Sequence, residues 1–185
     1  MIDKPISEAS TPVGWPTPTP VGEIQIKEYP SARAAVAKVT GQSSEQNALF
    51  RRLFAHIKDN DIPMTAPVEM TYLVQYGDGN VPALDRQSMA FYYQDQTVGR
   101  LGAAGDVEVV DVPGVTVVSI GLKGSYSEAN FQEAYVKLLR WLDEHSREYA
   151  VAGKVRVLTY NSPFVPFWMK YAEVQIPIDK VSPQP

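Results

Sequence analysis

A chain of 185 residues, 44% apolar and 21% charged, has the size and balance of one globular domain with a single core. Its net charge of −4, from 17 basic and 21 acidic residues, and the lack of any basic run denser than Arg51-Arg52 argue against nucleic acid as a partner. With no cysteine, the chain has no disulfides, thiolate metal sites, iron–sulfur clusters, cysteine-ligated heme or cysteine nucleophile.

The N-terminal segment is polar and lacks the apolar stretch of a signal peptide, and no run approaches the roughly 20 apolar residues that cross a bilayer. A cytoplasmic protein is expected, with a leader cleaved from a longer precursor as the other possibility. Residues 1–20 read as a tail, because Pro5, Pro12, Pro16, Pro18 and Pro20 disfavour helix and remove strand donors. Trp15 is the exception and is expected to anchor this tail on the domain. The domain proper is placed at residues 21–180, and residues 181–185 form a second loose end.

An internal repeat organises the domain. Glu28-Tyr29-Pro30 and Asp111-Val112-Pro113 each give an acid, an apolar residue and a proline. Gly41, Ser44, Glu45 and Asn47 recur as Gly124, Ser127, Glu128 and Asn130, all at the same offset of 83 residues as the prolines. Register held over such a span indicates a duplication, with one copy at about 22–95 and the other at about 105–179.

In each copy a strand runs up to the proline, and a second strand follows at 32–39 or 115–122. A glycine turn then leads to a helix whose N-cap is Ser44 or Ser127, with Glu45 or Glu128 near the positive end of the dipole. The first helix, at about 45–58, carries Phe50, Leu53, Phe54 and Ile57 on one stripe. The second, at about 128–149, carries Phe131, Tyr135, Leu138 and Leu142. Alternation over 64–74 puts Met64, Ala66, Val68, Met70, Tyr72 and Val74 on one face of a strand, with Glu69 on the other. Further strands are expected at 89–93, 154–160 and 172–178, the last with Ala172, Val174, Ile176 and Ile178 toward the core. Gly99 to Gly105 reads as a flexible loop between the copies. Two β-β-α-β-β units give an α+β fold, a distorted antiparallel eight-stranded barrel with both helices outside.

Three segments carry a resemblance to a known family. Asn60-Asp61-Ile62-Pro63-Met64-Thr65-Ala66-Pro67-Val68, the run Tyr160-Asn161-Ser162-Pro163 through Pro166 to Glu173-Val174-Gln175-Ile176-Pro177, and the opening strand Ile26-Lys27-Glu28-Tyr29-Pro30 resemble the hallmarks of the SOUL/heme-binding proteins. The resemblance spans residues 24–178 in the family's order. It implies a distorted barrel flanked by two helices, and non-catalytic binding of heme or a related tetrapyrrole in an apolar groove beside the first helix. The family has no invariant iron ligand, and the same architecture resembles GyrI-like modules that bind or hydrolyse small molecules.

The residues themselves supply candidates. His56, at the edge of the first helix's stripe, is the candidate iron ligand, set against a solvent-facing role. His145 has a structural explanation at the end of the second helix. Phe164, Phe167, Trp168 and Met169 straddle Pro166 in a loop, where a large apolar cluster is hard to bury. With Phe54 and Met64 they make the expected contact surface for a planar ligand, Met64 reading first as a core residue. Arg51, Arg52 and Lys58 are positioned either for heme propionates or for water. Glu69 and Glu173 fall on the non-core side of their strands, which reads first as a solvated face. The GyrI-like alternative would use them as cleft carboxylates beside a tyrosine. A third reading makes Trp15 and the Phe164–Trp168 loop a docking surface for a protein partner. No nucleophile elbow, P-loop or dinucleotide fingerprint is present, and no spacing suggests a non-heme metal site.

Overall fold

The computed structural model describes residues 9–40 and 46–182. Strands β1 (Ile24–Tyr29) and β2 (Ala32–Lys38) lead to helix α1 (Gln46–Asp59), followed by β3 (Val68–Tyr76) and β4 (Pro82–Tyr92). The second half runs β5 (Gly102–Ala104), β6 (Val107–Val112), β7 (Val115–Lys123), α2 (Glu128–Glu144), β8 (Tyr149–Val151), β9 (Val155–Thr159) and β10 (Tyr171–Lys180). All named strands pair antiparallel in the order β1-β7-β10-β9-β3-β4-β2-β6-β5, with β8 added to β10.

The expected eight-stranded barrel is therefore corrected to an open ten-stranded sheet. Its path ends at β1 and β5, which do not pair with each other. Part of the expected inter-copy loop forms β5, pairing Gly102 to Ala104 with Val109 to Val107. Helix α2 is shorter than the expected 128–149. His145 takes the cap position at φ −111°, ψ 18° with its N–H turned back to Trp141 and Leu142. Tyr149 is then free to begin the pairing of β8 with β10.

Period-2 alternation gives the sheet two faces. On one, Met70, Tyr72, Met89, Phe91, Val118, Ile120, Val157, Val174 and Ile176 pack with Leu49, Leu53 and Ile57 of α1 and Phe131, Leu138 and Leu142 of α2. The α1 stripe is thus Leu49, Leu53 and Ile57, and Phe54 lies off it, 47% exposed. Ser127 caps α2 as expected, accepting from the Asn130 amide at 3.2 Å. The matching Ser44 and Glu45 lie outside the described residues.

The opposite face is covered too, by chain from the N-terminal segment. Residues 10–22 cross it as an irregular strap, tied by Val13 N–H to the Gln94 carbonyl, Ala66 N–H to the Ser10 carbonyl and Gly22 N–H to the Gly121 carbonyl. Trp15 anchors it as expected, edge-on to Tyr29 at 4.9 Å and Tyr92 at 4.6 Å between ring centroids. Gly121 is required under the strap. A Cβ there would sit 2.2 Å from the Thr19 carbonyl oxygen and 2.5 Å from that of Pro20.

Candidate functional site

Two surfaces carry chemistry, one at the end of the sheet where the β9–β10 loop leaves it and one beneath the strap. The first lies where β3 and β9 meet, because Val68 pairs with both Thr159 and Phe91. Phe91 meets Phe50 of α1 at 5.1 Å, and Phe50 stacks on Phe54 at 6.0 Å. The α1–β3 linker carrying Met64 and the β9–β10 loop carrying Phe164 to Met169 thus leave the same end of neighbouring strands. In that loop Phe167–Met169 is a single 3-10 turn. Phe164 is 94% exposed, and Phe167, Trp168 and Met169 are all exposed. Phe167 and Trp168 meet edge-on at 5.1 Å.

Met64 is half-buried against the main core. His56 is half-buried at the helix edge, its Nε2 2.9 Å from the Tyr93 hydroxyl. Burial holds its pKa below the usual histidine range, with Asp59 opposing. His145 stacks on Trp141 at 3.9 Å, Nδ1 against the Trp141 carbonyl, as a structural histidine would. Among the described residues no cluster of three or more His, Asp or Glu could hold a metal ion. The inner side of α1 is filled by protein side chains, Leu49, Leu53 and Ile57 packing into the main core, so the apolar groove expected beside the first helix is not open on that side.

The second surface overturns the solvated-face reading of the glutamates. Glu173 is 0% and Glu69 8% exposed. The register explains their proximity: Leu158 of β9 pairs with Glu69 of β3 on one side and Glu173 of β10 on the other. Glu173 accepts from Lys27 Nζ at 2.7 Å, from the Tyr160 hydroxyl at 2.8 Å and from the Thr19 backbone N–H. Glu69 accepts from the Tyr92 hydroxyl at 3.0 Å. Arg156 Nε lies 2.8 Å from Glu69 as an ion pair, without the alignment of a hydrogen bond. Two acids thus face two bases, and the buried set is neutral. Tyr29 stands between the cations, its ring 5.4 Å from Lys27 Nζ and 5.1 Å from the Arg156 guanidinium.

The strap completes this network. Thr19 Oγ1 donates to Ser119 Oγ at 2.9 Å, and the Tyr171 hydroxyl donates to the Thr19 carbonyl. Gln175 Nε2 donates to the Tyr29 hydroxyl at 2.8 Å, while Gln175 Oε1 and Trp15 Nε1 are buried without a partner among the described residues. Burial, reinforced by Glu173 and Glu69 respectively, lifts Tyr160 and Tyr92 well above the usual phenol range. Burial also lowers Lys27, and Glu173 offsets part of that. Lys27, Arg156, Gln175 and Thr19 were not singled out from sequence. The available signal was parity, since Lys27, Arg156 and Gln175 share a sheet face with both glutamates.

Solved structures share this fold at low identity. The EcmrR C-terminal domain superimposes with a TM-score of 0.64 at 18% identity, covering 86% of this chain and 98% of that one. EcmrR in its complex with DNA gives 0.67 at 17% identity, again over 86% of this chain, which spans 58% of that longer protein. An uncharacterized conserved protein from Listeria innocua gives 0.62 at 11% identity, over 86% of this chain and 93% of its own. No curated protein sequence matches at a significant level. Residues 17–177 match the SOUL heme-binding protein family, from the strap through β10 and across both surfaces, and the chain belongs to that family.

Proposed function

We propose that this protein binds heme or a related tetrapyrrole without catalysis, against the exposed loop from Phe164 to Met169, with Phe54, Met64 and His56 as the contacts expected from the first helix and its linker. The observation that carries the reading is Phe164, a phenylalanine 94% exposed beside three further exposed apolar residues in a chain of the SOUL family. Such a cluster gains from covering by a flat apolar ligand, roughly 1.5–3 kcal/mol for each large side chain fully removed from water. His56 is the candidate iron ligand; its Nε2 would first exchange the Tyr93 hydroxyl for iron. Duplication as the origin of the fold is supported by the constant offset and by a strand order that reads alike from β1 and from β6 toward the centre. A cytoplasmic location without nucleic-acid partners remains the reading of composition; among the described residues no helix is long and apolar enough to cross a membrane.

Hemin titration followed at the Soret band tests the proposal. A saturable shift near micromolar hemin is expected. Phe164→Ser with Trp168→Ser should weaken it by about tenfold or more, and His56→Ala should leave most of the affinity. No saturable shift would end this reading. The GyrI-like alternative is favoured by one observation, the burial of Glu173 and Glu69 beside Tyr160 and Tyr92. Both carboxylates are already paired with cations beneath the strap, which leaves neither free to act as a base.

A further inference from the structure

We propose that the sheet face beneath the strap is a second binding site, for a neutral planar aromatic ligand carrying an amide-like donor and acceptor, and that residues 11–20 fill it as a displaceable intramolecular occupant. The inference is independent of the tetrapyrrole reading, which uses other residues.

The strap holds the face as a ligand would. It puts one planar ring between Tyr29 and Tyr92, and the backbone of one residue, Thr19, between Glu173 and Tyr171, its N–H donating to the first and its carbonyl accepting from the second. Four prolines at 12, 16, 18 and 20 deny it a strand ladder, so Trp15 and Thr19 carry most of its specific contact with the pocket. The floor beneath it belongs to the rigid sheet. Tyr29, Ser119, Glu173 and Gln175 sit on β1, β7 and β10, and their positions are set by strand pairing rather than by the strap.

Charge selects the ligand class. Lys27 neutralises Glu173 and Arg156 neutralises Glu69. A cationic guest would add an uncompensated buried charge, whereas a neutral one would not. The unpartnered Gln175 Oε1 and the Glu173 carboxylate both accept, and the Tyr171 hydroxyl donates. A guest with one donor and one acceptor beside its ring replaces what the strap supplies.

Gly121 gives a way to open the site without touching its polar floor. Alanine fits a strand, but its Cβ would meet the Thr19 and Pro20 backbone, so Gly121→Ala should push the strap off. The probe is N-acetyl-tryptophanamide, neutral and carrying an indole and amides, with tryptamine as its cationic counterpart. In the full-length protein, amide exchange of residues 11–20 should quicken with increasing N-acetyl-tryptophanamide while exchange in β7, β10 and the helices stays unchanged. Gly121→Ala should bind the probe about tenfold more tightly, because the competing occupant is lost, and tryptamine should bind at least about tenfold more weakly in either form. If Gly121→Ala does not fold, Trp15→Ala serves in its place. A released strap with no gain in probe binding would overturn the proposal, as would equal binding of tryptamine or probe binding that leaves the strap's exchange unchanged.

Discussion

Lys27 Nζ lies 2.7 Å from Glu173 Oε1, with side-chain exposures of 4% and 0%. The two residues are 146 positions apart, on β1 and β10, and β7 separates their strands. Lys27 is the cation that balances Glu173 in this buried position, so the pair should behave as a unit. Lys27→Met, which leaves Glu173 buried without its cation, is expected to cost about 3–5 kcal/mol. Lys27→Met combined with Glu173→Leu should cost clearly less than the single change. Urea unfolding of the three proteins gives the comparison, and a double variant as weak as the sum of its parts would contradict it.

The tyrosines of the same face predict an alkaline weakness. Tyr92 and Tyr160 are held above the ordinary phenol range by burial and then by Glu69 and Glu173, and Tyr29 and Tyr171 shift the same way. The unfolded chain loses these protons near pH 10, while the folded chain keeps them. The stabilisation is therefore complete below pH 10 and lost as pH rises further, by up to about 1.4 kcal/mol per tyrosine per pH unit. Lys27, shifted down, acts in the opposite sense as a single group. Urea midpoints at pH 8, 10 and 11 should fall steeply at the top of that range, and Tyr160→Phe should flatten the fall.

Two tryptophans should separate stability from binding. Trp15 packs against both satellite clusters of the strap face, around Tyr29 and around Tyr92. Trp168 is exposed in its loop. Trp15→Ala is expected to cost about 2–4 kcal/mol, near the low end for a large aromatic that is not fully buried. Trp168→Ser should stay within about 0.5 kcal/mol of the parent. Thermal or urea denaturation distinguishes them, and equal losses would mean that the β9–β10 loop is packed against something in solution.

What sequence could show follows the range of the forces involved. Local period set most elements: Ala172, Val174, Ile176 and Ile178 face the core as alternation required, and Ser127 caps α2. The family segments led to the right fold class through residues 17–177. Failure came where a local pattern was completed by distant chain. Glu173 alternates with apolar neighbours and so reads as solvent-facing, yet Thr19, 154 residues away, covers it. The proline-rich run read as a tail because nothing local marks the Ser119 and Tyr171 hydroxyls that hold Thr19. Closure failed for a similar reason, since whether β1 meets β5 depends on the accumulated twist of ten strands and not on any one pattern. The exposure of Phe164, by contrast, was legible, because a loop of four large apolar residues around Pro166 has little to bury against.

His56 ties α1 to pH. Its ring sits against the Tyr93 hydroxyl, and burial depresses its pKa, Asp59 opposing. The unfolded chain takes up this proton near pH 6.5, the folded chain only at lower pH. The stabilisation is thus present above about pH 6.5 and lost as pH falls toward the folded pKa. Urea midpoints of the parent should decline between pH 7 and 5 more than those of His56→Gln, and an NMR titration should place the imidazole below the free-histidine value. Iron bound at His56 would compete with that same proton, so any ligation component of hemin affinity should shrink in the acid limb, while the part carried by Phe164 and Trp168 stays flat. A hemin affinity that falls equally in the parent and in His56→Ala would remove His56 from the iron altogether.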